Sequence, residues 1–165
     1  MSSAPDLSGL PGWTPVPSTH ELGHHSYVAS DPRLGLRCYV GEDQDVLFAK
    51  VWFGPDVQGP PGVAHGGSMA AVLDELMGLL AWRRGFRVVA VGLNTRFRKM
   101  LPLGAVVTAR AEVQEVDGRK LFVRSTLVND AGEVHAEGEN VFLSLMPDQL
   151  AKLEANRAAR QHGEG

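Results

Sequence analysis

The segment from Gly66 to about Arg84 constrains the fold more than any other stretch of this chain. At 100° per residue, Met69, Val72, Leu73, Leu76, Met77, Leu79 and Leu80 cover more than half of a helical circumference. A helix this apolar is buried, so the remaining chain must wrap it. Arg83 and Arg84 suit a helix C-terminus, and Gly85 is a plausible stop. The rest of the wheel is a stripe of Gly67, Ala70, Ala71, Asp74, Gly78, Ala81 and Gly85, all within about 60° of Asp74. Asp74 thus sits amid residues with almost no side chain.

After this helix the hydrophobic period changes to two. Residues Arg87 to Lys99, Ala105 to Val116, Lys120 to Asn129 and Glu133 to Leu145 read as long strands. The links Pro102-Leu103-Gly104, Asp117-Gly118 and Asp130-Ala131-Gly132 are short, which predicts antiparallel neighbours in a four-strand meander. Before the helix, Leu36 to Val40 and Asp45 to Phe53 predict a hairpin about Gly41-Glu42-Asp43. Gly59-Pro60-Pro61-Gly62 can be neither helix nor central strand, so it is a shaped loop delivering His65 to the helix start. The expected class is α+β, a long central helix packed on a curved antiparallel sheet of five or six strands. Repeated βα units, a Walker loop and the Rossmann glycine fingerprint are all missing.

At 165 residues the chain is most simply one domain. Residues 1–30 begin as an irregular arm, with Pro5, Pro11, Pro15 and Pro17 against regular structure and Trp13 as an anchor; 31–147 form the body, and 148–165 an amphipathic helix and tail. A net charge of −3 argues against a generally basic nucleic-acid binder. The single cysteine, Cys38, allows no intrachain disulfide and reads as a strand residue rather than a nucleophile. The N-terminal residues do not resemble a signal peptide and no run of 18 apolar residues occurs, so a cytoplasmic protein without a membrane partner is expected. His20, His24 and His25 have a spacing that would suit a metal on a helix, but Gly23 and the lack of a nearby Cys or Asp speak against one.

Chemistry concentrates at Gly62-Val63-Ala64-His65-Gly66-Gly67 and at Asp74-Glu75. Unpaired N–H groups at a helix start can hold developing negative charge, and a carboxylate in apolar surroundings can act as base or nucleophile. Together they suggest acyl transfer. Asp74 has no basic partner at i±4, where Ala70 and Gly78 stand, and it outranks Glu75. His65 either fixes the turn or polarises a substrate carbonyl. Eight residues separate Gly66 from Asp74, about 12 Å along one helix, too far to act on one carbonyl. If both are catalytic, Asp74 of one subunit must face the helix start of another, which predicts an isologous homodimer.

These residues, with the strand Leu93-Asn94-Thr95-Arg96-Phe97-Arg98-Lys99 and the Pro102-Leu103-Gly104 turn, resemble the hotdog-fold acyl-CoA thioesterases of the PaaI-like group over about residues 45 to 146. The resemblance implies a dimer, or a dimer of dimers, that hydrolyses acyl-CoA without metal or cofactor. It implies that the Gly66 N–H polarises the thioester carbonyl, that His65 orients it, and that Asp74 of the partner activates water or attacks directly. Gly67 and Gln58 become candidate substrate contacts, and Arg96, Arg98 and Lys99 candidates for the CoA phosphates. Two features depart from that group. An asparagine is common six residues before the motif histidine, where this chain has Gly59 with Gln58 beside it, and a hydroxyl residue near the acid is replaced by Ala90. The rival readings are an acyl-CoA-binding module that does not cleave its ligand, and a hydratase of the same fold.

Overall fold

The computed structural model describes residues 4–18 and 26–163, so His20, His24 and His25 lie outside the described residues. Its strands are β1 (Thr14–Val16), β2 (Leu34–Val40), β3 (Val46–Phe53), β4 (Val88–Phe97), β5 (Val106–Asp117), β6 (Lys120–Val128) and β7 (Val134–Ser144). Its helices are α1 (Tyr27–Ser30), α2 (Gly66–Arg83) and α3 (Pro147–Gly163). The strands form one antiparallel sheet in the order β1-β2-β3-β5-β6-β7-β4. The α+β expectation holds with seven strands rather than five or six. The added strand is β1, in the arm expected to be irregular, where Thr14 to Val16 pair with Val40 to Cys38.

The expected meander is corrected at its first link. β5, β6 and β7 run as consecutive hairpins, but β4 pairs with β7 at the far edge and β5 pairs with β3. The chain between β4 and β5 must therefore cross two intervening strands. Three strand spacings are about 14 Å, and eight extended residues reach about 26 Å, so the segment is long enough. Pro102-Leu103-Gly104 looked like a hairpin turn because local sequence carries turn chemistry but not partner choice.

α2 lies across the inner face of the sheet. Val107, Ala109 and Ala111 of β5, Leu121, Val123 and Leu127 of β6, and Ala136 of β7 are buried beneath Val72, Leu73, Leu76, Met77 and Leu80. Gly138 of β7 permits the close approach: a Cβ there would lie 3.2 Å from the Met77 methyl and 3.3 Å from Leu73 Cβ. Gly85 ends the helix at φ +88°, the left-handed conformation a C-terminal glycine supplies. On the outer face the arm covers β2 and β3. Trp13 stacks on Phe48 at 4.4 Å between centroids, and the Tyr39 hydroxyl donates to the Leu7 carbonyl at 2.6 Å.

One face of α2 stays uncovered. Gly67, Ala70, Ala71, Asp74 and Gly78 are exposed or half-buried, and a Cβ at Gly78 would meet nothing within 4 Å. Ala81, in contrast, is buried. Beside this face runs β4, an edge strand whose Val89, Val91, Leu93 and Phe97 are exposed. No described helix is long and apolar enough to cross a membrane.

Candidate active site

The loop before α2 is held from two sides. Within it, the Gly59 N–H donates to the Val63 carbonyl at 2.9 Å, and the Gly62 N–H to Gln58 Oε1 at 2.9 Å, with Gly62 at φ +76°. Across it, the β4–β5 crossover accepts from the Ala64 N–H at the Leu101 carbonyl, 2.8 Å, and donates from the Leu103 N–H to the Gly62 carbonyl, 3.1 Å. The crossover is itself pinned at the buried His135 of β7, whose carbonyl accepts from the Arg98 N–H at 2.9 Å and whose Nδ1 lies 3.1 Å from the Met100 carbonyl. The crossover thus clamps the loop that carries His65.

His65 is the N-cap of α2, and its Nδ1 accepts from the Gly67 N–H at 2.8 Å. Its carbonyl accepts from the Ser68 and Met69 N–H groups. A ring nitrogen that accepts carries no proton, so the neutral ring holds its hydrogen on Nε2. Of the two roles open to His65, fixing the turn is the one its Nδ1 performs, and Nε2–H remains as a donor. The Gly66 N–H forms no hydrogen bond among the described residues. A Cβ on Gly66 would sit 3.0 Å from the Phe97 ring, which packs over the helix start.

Position 59 explains one departure from the family pattern. A Cβ there would lie 2.9 Å from His65 Cα, a backbone atom, so this loop has no room for the asparagine side chain. Gln58 stands beside it and uses Oε1 within the loop. A groove of about 310 Å³ opens next to the helix start, lined by Tyr27, Leu34, Val57, Gln58, His65 and Ser68 among others. Arg33 and Asp31 also line it as a bidentate pair, and the Arg33 hydrogen bonds bring the Asp31 carboxyl down to about 2.

Asp74 lies two turns into α2 on the uncovered face, half-buried. Asn140 Nδ2, on β7, donates to Asp74 Oδ1 at 2.5 Å. Asp74 Oδ2 carries no hydrogen bond among the described residues. Burial raises the Asp74 pKa above the usual carboxylate value, the Asn140 bond opposes that rise, and the Glu75 charge adds to it. Cys38, in contrast, is a buried strand thiol pushed up to about 12 by burial and by Glu75, which keeps it protonated and inert.

Asn140 escaped the sequence reading, although a signal was present. Along β7 the inward positions are Ala136, Gly138, Asn140 and Phe142, and an amide among them breaks the alternation. Ala90 brings no hydroxyl towards the acid. Ser125 of β6 and Thr95 of β4 face α2 instead, with Ser125 Oγ 3.5 Å from the Leu73 carbonyl and Thr95 Oγ1 buried without a partner among the described residues.

The remaining candidates lie elsewhere. Arg96 is opposite Glu137 in register, so its side chain leaves the sheet on the face away from α2. Arg96 and Arg98 line a polar groove of about 220 Å³ with Asn94, Arg124, Glu137 and Glu139. Arg98 bonds Glu137 at 2.9 Å, and Lys99 bonds Glu133. The structure thus brings His65, Gly66, Gly67 and Gln58 together at the helix start. Asp74 stands along the same helix, and the three cations are separated from it by the sheet or its end.

Comparison with known proteins bears on the family and the fold. A family model described as the thioesterase superfamily matches residues 61–136. The acyl-coenzyme A thioesterase THEM4 of Rattus norvegicus is 36% identical over 97 residues, covering 58% of this chain and 42% of that protein. The acyl-coenzyme A thioesterase THEM5 of Homo sapiens is 33% identical over 164 residues, covering 84% of this chain and 66% of that protein. The chain thus spans less than two thirds of the length of these relatives. Among solved structures, the E. coli PaaI protein from the phenylacetic acid degradation operon superposes with a TM-score of 0.64 at 15% identity, covering 73% of this chain and 86% of that one, a likeness of fold.

Proposed function

The chain belongs to the thioesterase superfamily and has its hotdog fold, and from that membership we propose that it hydrolyses an acyl-CoA thioester to a carboxylic acid and free CoA, at sites shared between two subunits. The observation that carries this reading is that the unengaged Gly66 N–H opens the start of α2 and the half-buried Asp74 lies two turns on, on the uncovered face of the same helix, beside an apolar open strand edge. About 12 Å apart on a straight helix, they can meet one carbonyl only when a second copy supplies the other half. The β4 edge supports such a pairing, since it leaves backbone groups unpaired and exposes Val89, Val91, Leu93 and Phe97. A dimer of dimers is compatible with the same edge contact.

In this reading the thioester carbonyl oxygen lies over the Gly66 N–H at the positive end of α2, with His65 Nε2–H as a second donor in reach of the groove. The partner subunit's Asp74 takes a proton from water as the water oxygen bonds to the carbonyl carbon. Alternatively its carboxylate attacks the carbon itself, the thiolate leaves to give a mixed anhydride, and water then opens that anhydride. Collapse of the tetrahedral oxyanion breaks the C–S bond, and the CoA sulfur leaves and takes up a proton. Base, donor and substrate suffice, so no metal or cofactor is required. Gly67 and Gln58 belong to the wall of the same groove. Arg96, Arg98 and Lys99 stay candidates for the CoA phosphates, which the long pantetheine arm separates from the thioester.

The test is a panel of acyl-CoAs of different chain length incubated with the protein and a thiol-trapping reagent. Wild type is expected to release CoA thiol, and Asp74→Ala to lose at least about 100-fold in kcat, the usual range for removing a general base. Binding without release from any acyl-CoA would assign the chain as a non-cleaving acyl-CoA module instead.

A further inference from the structure

We infer that Asn140 is the positioning residue of the site: its side-chain amide grips one oxygen of the Asp74 carboxylate and leaves the other to react. The inference rests on the role given to Asp74 above and deepens it.

Asn140 is 1% exposed, on the inner face of β7 opposite Leu93 of β4. An amide there is costly unless its polar atoms are bonded. It spends Nδ2 on Asp74 Oδ1 at 2.5 Å, while its own Oδ1 is buried without a partner among the described residues. A residue placed only for packing would be apolar, or would have both polar atoms satisfied. This one is satisfied only toward Asp74.

The chemistry of the pair fits a base. A carboxylate accepts and an amide nitrogen donates, so the bond favours the ionised form, and hydrogen bonds to charged groups are the strong ones. With Oδ1 held, the carboxylate is fixed about its χ2 torsion and Oδ2 is the unengaged oxygen. Among the described residues, the surroundings offer Asp74 no other such help. From β4 and β6 the inward polar groups are the neutral hydroxyls of Thr95 and Ser125, and the charge acting on Asp74 from its own helix is that of Glu75, which opposes ionisation. Burial opposes it as well. Asn140 is thus the group among these that works toward a proton-accepting Asp74 near neutral pH.

The experiment titrates the Asp74 carboxyl directly, by carbon-13 NMR of aspartate-labelled protein with Asp74→Asn identifying the resonance, alongside the acid limb of kcat. Asn140→Ala is expected to move both upward by about one pH unit, with KM changed far less than kcat. Asn140→Asp keeps the shape and puts a second carboxyl beside the first, so the pair titrates in two steps with the upper one above the wild-type value. It carries the test if the alanine variant does not fold. An unchanged Asp74 titration and acid limb in a folded variant would overturn the inference, even where Asp74→Ala abolishes hydrolysis. Hydrolysis that survives Asp74→Ala would overturn the reading of Asp74 itself, whatever the NMR titration shows.

Discussion

Asp74 shows what burying a carboxyl does to stability. Its folded pKa lies above the ordinary carboxylate value of 3.8, chiefly because it is part-buried. A raised pKa means that the fold prefers the protonated acid. The contribution to stability is full below about pH 4 and is lost as pH rises through the folded pKa. Asp74→Asn, which carries no charge at any pH, is therefore expected to unfold about 1–3 °C higher than wild type at pH 7. The difference should close towards pH 4. Thermal unfolding of both proteins at several pH values checks this, and a gain that persists at pH 4 would show that desolvation of the charge is not its cause. Gly59 is constrained for a different reason, since a Cβ would press on His65 Cα at 2.9 Å. Gly59→Ala should cost about 1–3 kcal/mol and lower kcat by displacing the His65 cap. A variant as stable and active as wild type would mean that the loop yields freely.

Among the elements, β4 is the one the isolated chain leaves unfinished. It exposes Val91 at 58%, Phe97 at 54% and Leu93 at 45%, with Val89 beside them, on an edge with no further strand among the described residues. A register shift between Ala90 and Gly92 places Val91 at a bulge. Val91→Lys introduces a charge of the kind that natural edges use against pairing. It should shift the species seen by sedimentation equilibrium towards monomer and lower hydrolysis in parallel, while the protomer keeps its fold because the residue is exposed in it. Monomer that keeps full activity would disprove the shared site. The opposite edge is treated differently. There the three-residue β1 pairs with β2, and Trp13 covers Phe48 and Tyr39, so the edge that remains open is short.

For the molecule as a whole, the proposed site shared between subunits makes a quantitative demand. His65→Ala and Asp74→Ala subunits, each inactive as homodimers if both residues are essential, should complement when mixed. Random exchange makes half the dimers mixed, each with one intact site of two, so about one quarter of wild-type activity should return. Confirmed exchange without recovery would place both residues in one protomer's site. What the sequence by itself determined was local: the limits of α2 from its apolar period and Gly85, the β2–β3 hairpin, and the inward alternation of β5 to β7. It also carried His65, Gly66 and Asp74 as a pattern, because a cap, a glycine pair and an acid two turns on are set by spacing along one helix. Partner choice between strands is not local, and so β4 beside β7, the crossover that clamps the His65 loop, and Arg96 facing away from α2 were decided only by tertiary structure. The same is true of Asn140, which lies 66 residues from Asp74 and meets it at 2.5 Å. A period of two says which face of β7 Asn140 occupies, but only the packing of α2 on that face decides which side chain it meets.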